Sequence, residues 1–185
     1  MTVTTLDRRS ALVVIDLQQG IAGNPAAAPV VAQAARLADA FRAAGLPVVL
    51  VNVTGGAPGR TERPRPTAPR AENWAELVPD LSPDAAGTLQ VTKQTWGAFH
   101  GTELDALLRD AGVTQIVLAG IATSAGVEST ARAAHEHGYN VTVATDACAD
   151  FDPVNHEHAV TRVFPRLGET GTPDEILDLL AANGR

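Results

Sequence analysis

The feature that most constrains this chain is a five-residue apolar run, Ala11-Leu-Val-Val-Ile15, ended abruptly by Asp16. A strand that alternates apolar and polar residues has one wet face. A continuous run has none, and belongs to a parallel strand covered on both sides. The next periodic segment, Pro29 to Ala44, places Val30, Ala34, Leu37, Ala38 and Phe41 at helical spacing. Pro29 suits a first helical turn and Gly45 a C-terminal stop. Leu46 to Val53 then reads as a second buried strand. Strand, helix and strand form a βαβ unit, whose crossover is right-handed.

The alternation continues. Thr88–Thr92 is a short candidate strand ahead of Lys93, and Leu104–Ala111 a helix closed by Gly112. Gln115–Ala119 and Val141–Thr145 read as strands, flanking a helix from Val127 to His137. A polar helix is expected near 155–162, and a last one from Pro173 through Leu180. This order predicts an α/β doubly wound sheet with helices on both faces. At 185 residues the chain is expected to form one domain, 1–185.

Composition narrows the function. A net charge of −7 argues against nucleic acid and against anionic membranes as partners. No apolar stretch approaches the 18 or so residues of a membrane span. The first ten residues lack the apolar core of a secretory signal. The single cysteine, Cys148, cannot form an internal disulfide. Together these suggest a cytoplasmic protein.

In open α/β sheets ligands sit beyond the carboxyl ends of the strands. Asp16 and Lys93 are both expected there. Lys93 is the only lysine among fourteen basic Lys and Arg side chains. Asp16 is suited to general acid–base work, with Lys93 as its charged partner. Gln18 follows Asp16 closely. The segment Gly120-Ile-Ala-Thr-Ser-Ala-Gly-Val127 joins a strand to a helix with small residues, a plausible cradle for an anion or oxyanion. The five histidines show no His-x-x-x-His spacing, so neither metal nor cofactor is expected. Between Thr54 and Ser82 lie Arg60, Arg63, Arg65, Arg70 and Trp74. This stretch reads as a solvated loop, a lid, or an arm covering a neighbouring subunit.

Three segments taken together resemble the isochorismatase-like hydrolase family of the cysteine hydrolase superfamily. They are Ala11–Gln18 with Asp16, Thr92–Thr102 with Lys93 and Trp96, and Gly120–Arg132 with Gly126. Gly138–Ala147 also fits. The resemblance covers nearly the whole chain and is weakest between Thr54 and Ser82. It implies a three-layer, Rossmann-like fold with six mostly parallel strands. It implies hydrolysis of small molecules such as nicotinamide-type amides, carbamoyl compounds or the vinyl ether of isochorismate. It also implies a homodimer or homotetramer, and a cis peptide at Ile121–Ala122. Ile121, Ala122, Thr123 and Ala125, with Gln18 and Trp96, would contact the substrate.

The family triad is Asp, Lys and Cys. Asp16 and Lys93 match the first two, and the Cys position falls on Gly126. A glycine cannot attack a carbonyl, so thiol chemistry is not expected at Gly126, nor from Cys148, which is expected past the next strand. Isochorismatases proper carry Gly at this position, although their loop differs where this chain has Ala122, Thr123 and Ser124. Vinyl-ether hydrolysis needs a proton and a water rather than a protein nucleophile. The metal site of the nicotinamidase branch has no counterpart, because 54–82 holds no histidine. Two functions stay open: a Cys-independent hydrolase using Asp16 and Lys93, or an inactive family member that binds a ligand or partner. Asp16→Asn is expected to abolish turnover and largely spare the fold.

Overall fold

The computed structural model describes residues 2–62 and 69–183. Arg63 and Arg65, of the stretch between Thr54 and Ser82, lie outside them. In chain order the elements are β1 (Ser10–Ile15), α1 (Gln19–Ala22), α2 (Ala28–Ala43), β2 (Val48–Val53), β3 (Thr88–Lys93) and α3 (Leu104–Asp110). There follow β4 (Gln115–Ile121), α4 (Glu128–Glu136), β5 (Asn140–Ala149), α5 (Pro153–His158), β6 (Glu169–Gly171) and α6 (Pro173–Asn183).

The six strands form one sheet in the order β3-β2-β1-β4-β5-β6. All five pairings are parallel. The fold is therefore the expected doubly wound α/β sheet. β1 is fully buried along its length, which is why its sequence is apolar without alternation. Its side chains still divide by parity. Leu12 and Val14 join a core with Leu37 and Phe41 of α2 and Ile176 of α6. Ala11, Val13 and Ile15 join a second core with Leu104 and Leu108 of α3 and Ala131 of α4.

Two expectations change. β5 is ten residues long rather than five, and it contains Cys148 instead of ending before it. Its pairing with β4 shifts register: Leu118 faces Val143, whereas Gly120 faces Cys148. This irregularity lets a strand continue through the polar Thr145-Asp146, where the apolar pattern stops. β6 has only three residues, Glu-Thr-Gly, and carries no apolar pattern to read. No helix among the described residues is long and apolar enough to cross a membrane.

The strand order reverses at β1. From there the chain winds outward through β2 and β3, then crosses back to β4 on the other side. Such a switch point opens a crevice at the carboxyl ends of the two central strands.

Candidate active site

Asp16 is the residue immediately after β1. Its backbone N–H donates to Val51 O at 2.8 Å, so the β1–β2 ladder runs one step beyond the strand. Its φ of 55° turns the chain sharply there, a conformation that Asp tolerates better than most residues. Beside it, the close approach of β1 to β4 requires a glycine. A Cβ on Gly120, where φ is 130°, would stand 2.1 Å from Ile15 O.

Lys93 is the last residue of β3. Its Nζ donates to Asp16 Oδ2 at 2.7 Å and to Thr95 O at 3.1 Å. Both partners of this ion pair are buried, with side chains 1 % and 7 % exposed. Burial raises the Asp16 carboxyl from 3.8 to about 6, although the charge and hydrogen bond of Lys93 pull it down. Desolvation therefore prevails over the ion pair, and the proton can be lost or gained near neutral pH.

After β4 the Ile121–Ala122 peptide is cis and Thr123–Val127 forms a π-helical turn leading into α4. Two contacts brace this turn. Ser124 donates from its N–H and its hydroxyl to Asp150 Oδ2, each at 2.7 Å. Thr130 Oγ1 donates to Gly126 O at 2.7 Å and accepts from Ala98 N–H, which ties the turn to the loop after β3. Gly126 thus sits against the ion pair. A Cβ there would lie 3.1 Å from Asp16 Oδ2 and 2.9 Å from Ile15 Cγ2.

These elements surround a pocket of about 190 Å³. That is the scale of the cavity of about 150 Å³ that takes up one benzene ring. Seven of the nine residues expected from sequence line it: Asp16, Lys93 and Gly126, with Trp96, Ile121, Ala122 and Ala125. Gln18 and Thr123 do not. Gln18 is fully buried, and its amide accepts from Val53 N–H and donates to Val53 O and Trp74 O. It staples the long loop to β2. Thr123 is also fully buried, with its hydroxyl 2.8 Å from His156 Nδ1.

Thr95 and Phe151, which the sequence does not single out, also line the pocket, together with Arg70 and Trp74 of the long loop. Phe151 lies two residues past β5, so the strand-end rule could have found it. Arg70 and Trp74 come from the loop between β2 and β3. The Arg70 guanidinium lies 3.9 Å above the Trp74 ring and donates to Thr54 O and Gly55 O. Trp74 packs on Gly20, where a Cβ would come within 2.0 Å of the ring. The antiparallel bridge between Gln18 and Leu77 holds it there.

No thiol reaches the pocket. Cys148 is buried in β5, and burial pushes its pKa up to about 12. No group of three or more His, Cys, Asp and Glu that could hold a metal ion occurs among the described residues. The donor set does not fit the nicotinamidase-type metal.

The sequence model of the Isochorismatase domain matches residues 10–175. The isochorismatase family protein YecD of Escherichia coli O157:H7 is 41 % identical, over 94 % of this chain and 97 % of its own. The structure of an isochorismatase family protein from Burkholderia thailandensis superposes with a TM-score of 0.90 at 41 % identity. That match covers 96 % of this chain and 98 % of the other. The ureidoacrylate amidohydrolase RutB of Serratia proteamaculans is 30 % identical, over 95 % of this chain and 84 % of its own.

Proposed function

The chain belongs to the isochorismatase family of hydrolases, and we propose that it hydrolyses a small polar metabolite without a protein nucleophile, using Asp16 as general acid and then general base. One observation carries this reading. The position expected to bear the nucleophile is Gly126, against the carboxylate of a buried Asp16–Lys93 pair, and the only cysteine is outside the pocket.

The chemistry follows from the atoms present. Protonated Asp16 transfers its proton to the substrate at the bond to be cleaved, either the terminal carbon of a vinyl ether or the leaving nitrogen of an amide. Water adds to the electrophilic carbon, and its surplus proton returns to the Asp16 carboxylate. The bond to the leaving atom then breaks: an amide nitrogen departs with the proton it received, and the ether oxygen of the hemiketal departs with the proton of the new hydroxyl as the carbonyl forms, so the net change is addition of one water. Lys93 holds the carboxylate in place and compensates its charge after the proton has left. A group that titrates at about 6 serves both halves of such a cycle near neutral pH. Trp74, Trp96 and Phe151 supply flat apolar walls and Arg70 a cation at the rim. This combination suits a small planar compound with a negative or polar end.

The test is a hydrolysis panel containing isochorismate, nicotinamide and ureidoacrylate, run with the wild type and with Asp16→Asn. The reading expects at least one compound to be turned over by the wild type and not by the variant. Both tryptophans of the chain line the pocket, so quenching of their fluorescence reports occupancy independently of turnover. Assembly into a homodimer or homotetramer is part of the same proposal and is read by light scattering.

A further inference from the structure

We infer that Asp150 is a positioning residue whose single carboxylate holds two walls of the pocket in register: the small-residue turn that ends at Gly126, and the ring of Phe151. The inference deepens the hydrolytic reading above and rests on it for the kinetic readout alone.

Side-chain packing does little to fix either wall. Ala122, Ala125 and Gly126 line the pocket but offer almost no side chain to wedge the turn in place. Phe151 lines it while 80 % exposed. Hydrogen bonds to Asp150 set both. Its Oδ2 accepts from the N–H and the hydroxyl of Ser124, each at 2.7 Å. Its Oδ1 accepts from Asp152 N–H at 3.2 Å, which bends the chain into a turn with Phe151 at its centre. Hydrogen bonds to a carboxylate are stronger than neutral ones. The Thr123 hydroxyl, 2.8 Å from His156 Nδ1, joins the same two segments at a second point.

The register of the sheet delivers this carboxylate. From Leu118 to Gly120 is two steps on β4, whereas from their partners Val143 to Cys148 is five steps on β5. Without the extra residues Ile121 would face Asp146. With them it faces Ala149, and Asp150 comes level with the start of the turn. Asp150 does not itself line the pocket, so it acts through what it holds. A Cβ on Gly126 would lie 3.1 Å from Asp16 Oδ2, and a turn that drifts changes the distance between this wall and the reacting carboxyl. Misplacement by about 1 Å can cost about a hundredfold in rate.

The test compares Asp150→Ala, which removes both ties, with Asp150→Asn, whose carbonyl oxygen still accepts from Ser124. Asp152→Ala is the control. Asp152 caps α5 by accepting from Val154 N–H at 2.9 Å, so its loss weakens the same loop without freeing the turn. In crystal structures superposed on the sheet, Asp150→Ala is expected to shift Ala125 and Gly126 by about 1 Å relative to Asp16. Asp150→Asn and Asp152→Ala keep them in place. On the panel compound turned over by the wild type, Asp150→Ala is expected to lower kcat by about ten- to a hundredfold. Asp150→Asn restores most of it, and Asp152→Ala keeps the kcat of the wild type while melting at a lower temperature. Should Asp150→Ala not fold, Ser124→Ala removes one of the two Ser124 bonds and is expected to lower kcat by about three- to tenfold. An unmoved turn in Asp150→Ala, or wild-type kcat in Asp150→Ala or Ser124→Ala, overturns the proposal. So does an equal fall of kcat in Asp152→Ala, which would make the effect a general loosening of the loop. Wild-type turnover by Asp16→Asn instead defeats the acid–base reading, and the Asp150→Ala structure still decides this one.

Discussion

The Lys93 ammonium stands 2.7 Å from Asp16 Oδ2, and both side chains are withdrawn from solvent at the end of β1 and β3. Burying two charges is costly, and their attraction offsets that cost only while both are present. The raised Asp16 carboxyl means that burying its charge costs more than Lys93 returns, so the neutral amide of Asp16→Asn is expected to be tolerated at pH 7 without a large loss of unfolding free energy, measured by guanidinium titration. An Asp16→Asn, Lys93→Met double variant, which buries neither charge, is expected to be at least as stable as the wild type. A loss of several kcal/mol in both variants contradicts this balance.

The pH dependence has a definite sign. The folded state raises Asp16 from 3.8 to about 6, so it binds this proton more tightly than the unfolded chain does. The corresponding stability is fully present below about pH 3.8 and is lost as pH rises through about 6. Relative to the double variant, the wild type should lose on the order of 3 kcal/mol across that window. Carboxyl carbon NMR of Asp16 reads the titration directly. Lys93→Met removes the charge and hydrogen bond that pull the group down, so its midpoint is expected to move above 6. A midpoint that stays or falls contradicts the assignment.

Gln18 joins the loop to the sheet. Gln18→Leu strips the partners from Val53 N–H and from the carbonyls of Val53 and Trp74. Each unsatisfied buried group costs about 1–3 kcal/mol. The variant is expected to be destabilised and to raise KM more than it lowers kcat, because Trp74 and Arg70 lose their support. Unchanged KM with lowered kcat would make Gln18 a participant in the chemistry instead.

Gly126→Cys restores a thiol beside Asp16 and Lys93. The new Cβ meets Ile15 Cγ2 at 2.9 Å, so the turn or Ile15 must shift, and a loss of about 1–3 kcal/mol is expected. The variant should be labelled by iodoacetamide. The wild type should not, because Cys148 is buried with its pKa pushed up to about 12. Mass spectrometry after brief exposure distinguishes the two, and rapid labelling of wild-type Cys148 contradicts the structure.

Most of the sheet was readable because its central strands are apolar on both faces. Val48 to Val51 are fully buried, as are the seven residues of β4. β6 escaped because three polar residues carry no periodicity. The far half of β5 escaped because the register shift lets it pass through Thr145 and Asp146 without an apolar pattern. Within the site, Asp16 and Lys93 were legible as charges at strand ends. Gln18 was misplaced because proximity to Asp16 in sequence does not say which way an amide turns, and here it turns into the backbone of β2. Arg70, Trp74 and Thr95 depend on how the loops fold over the pocket, which spacing does not encode.

The central claim is that hydrolysis here runs through Asp16 and not through a thiol. The most direct measurement is kcat of Cys148→Ala and Asp16→Asn, side by side, on the panel compound the wild type turns over. Cys148→Ala is expected within about twofold of wild type, since Cys148 lies outside the pocket, while Asp16→Asn falls by about 10²–10⁴-fold. Loss of turnover in a folded Cys148→Ala, or wild-type turnover in Asp16→Asn, would contradict the claim.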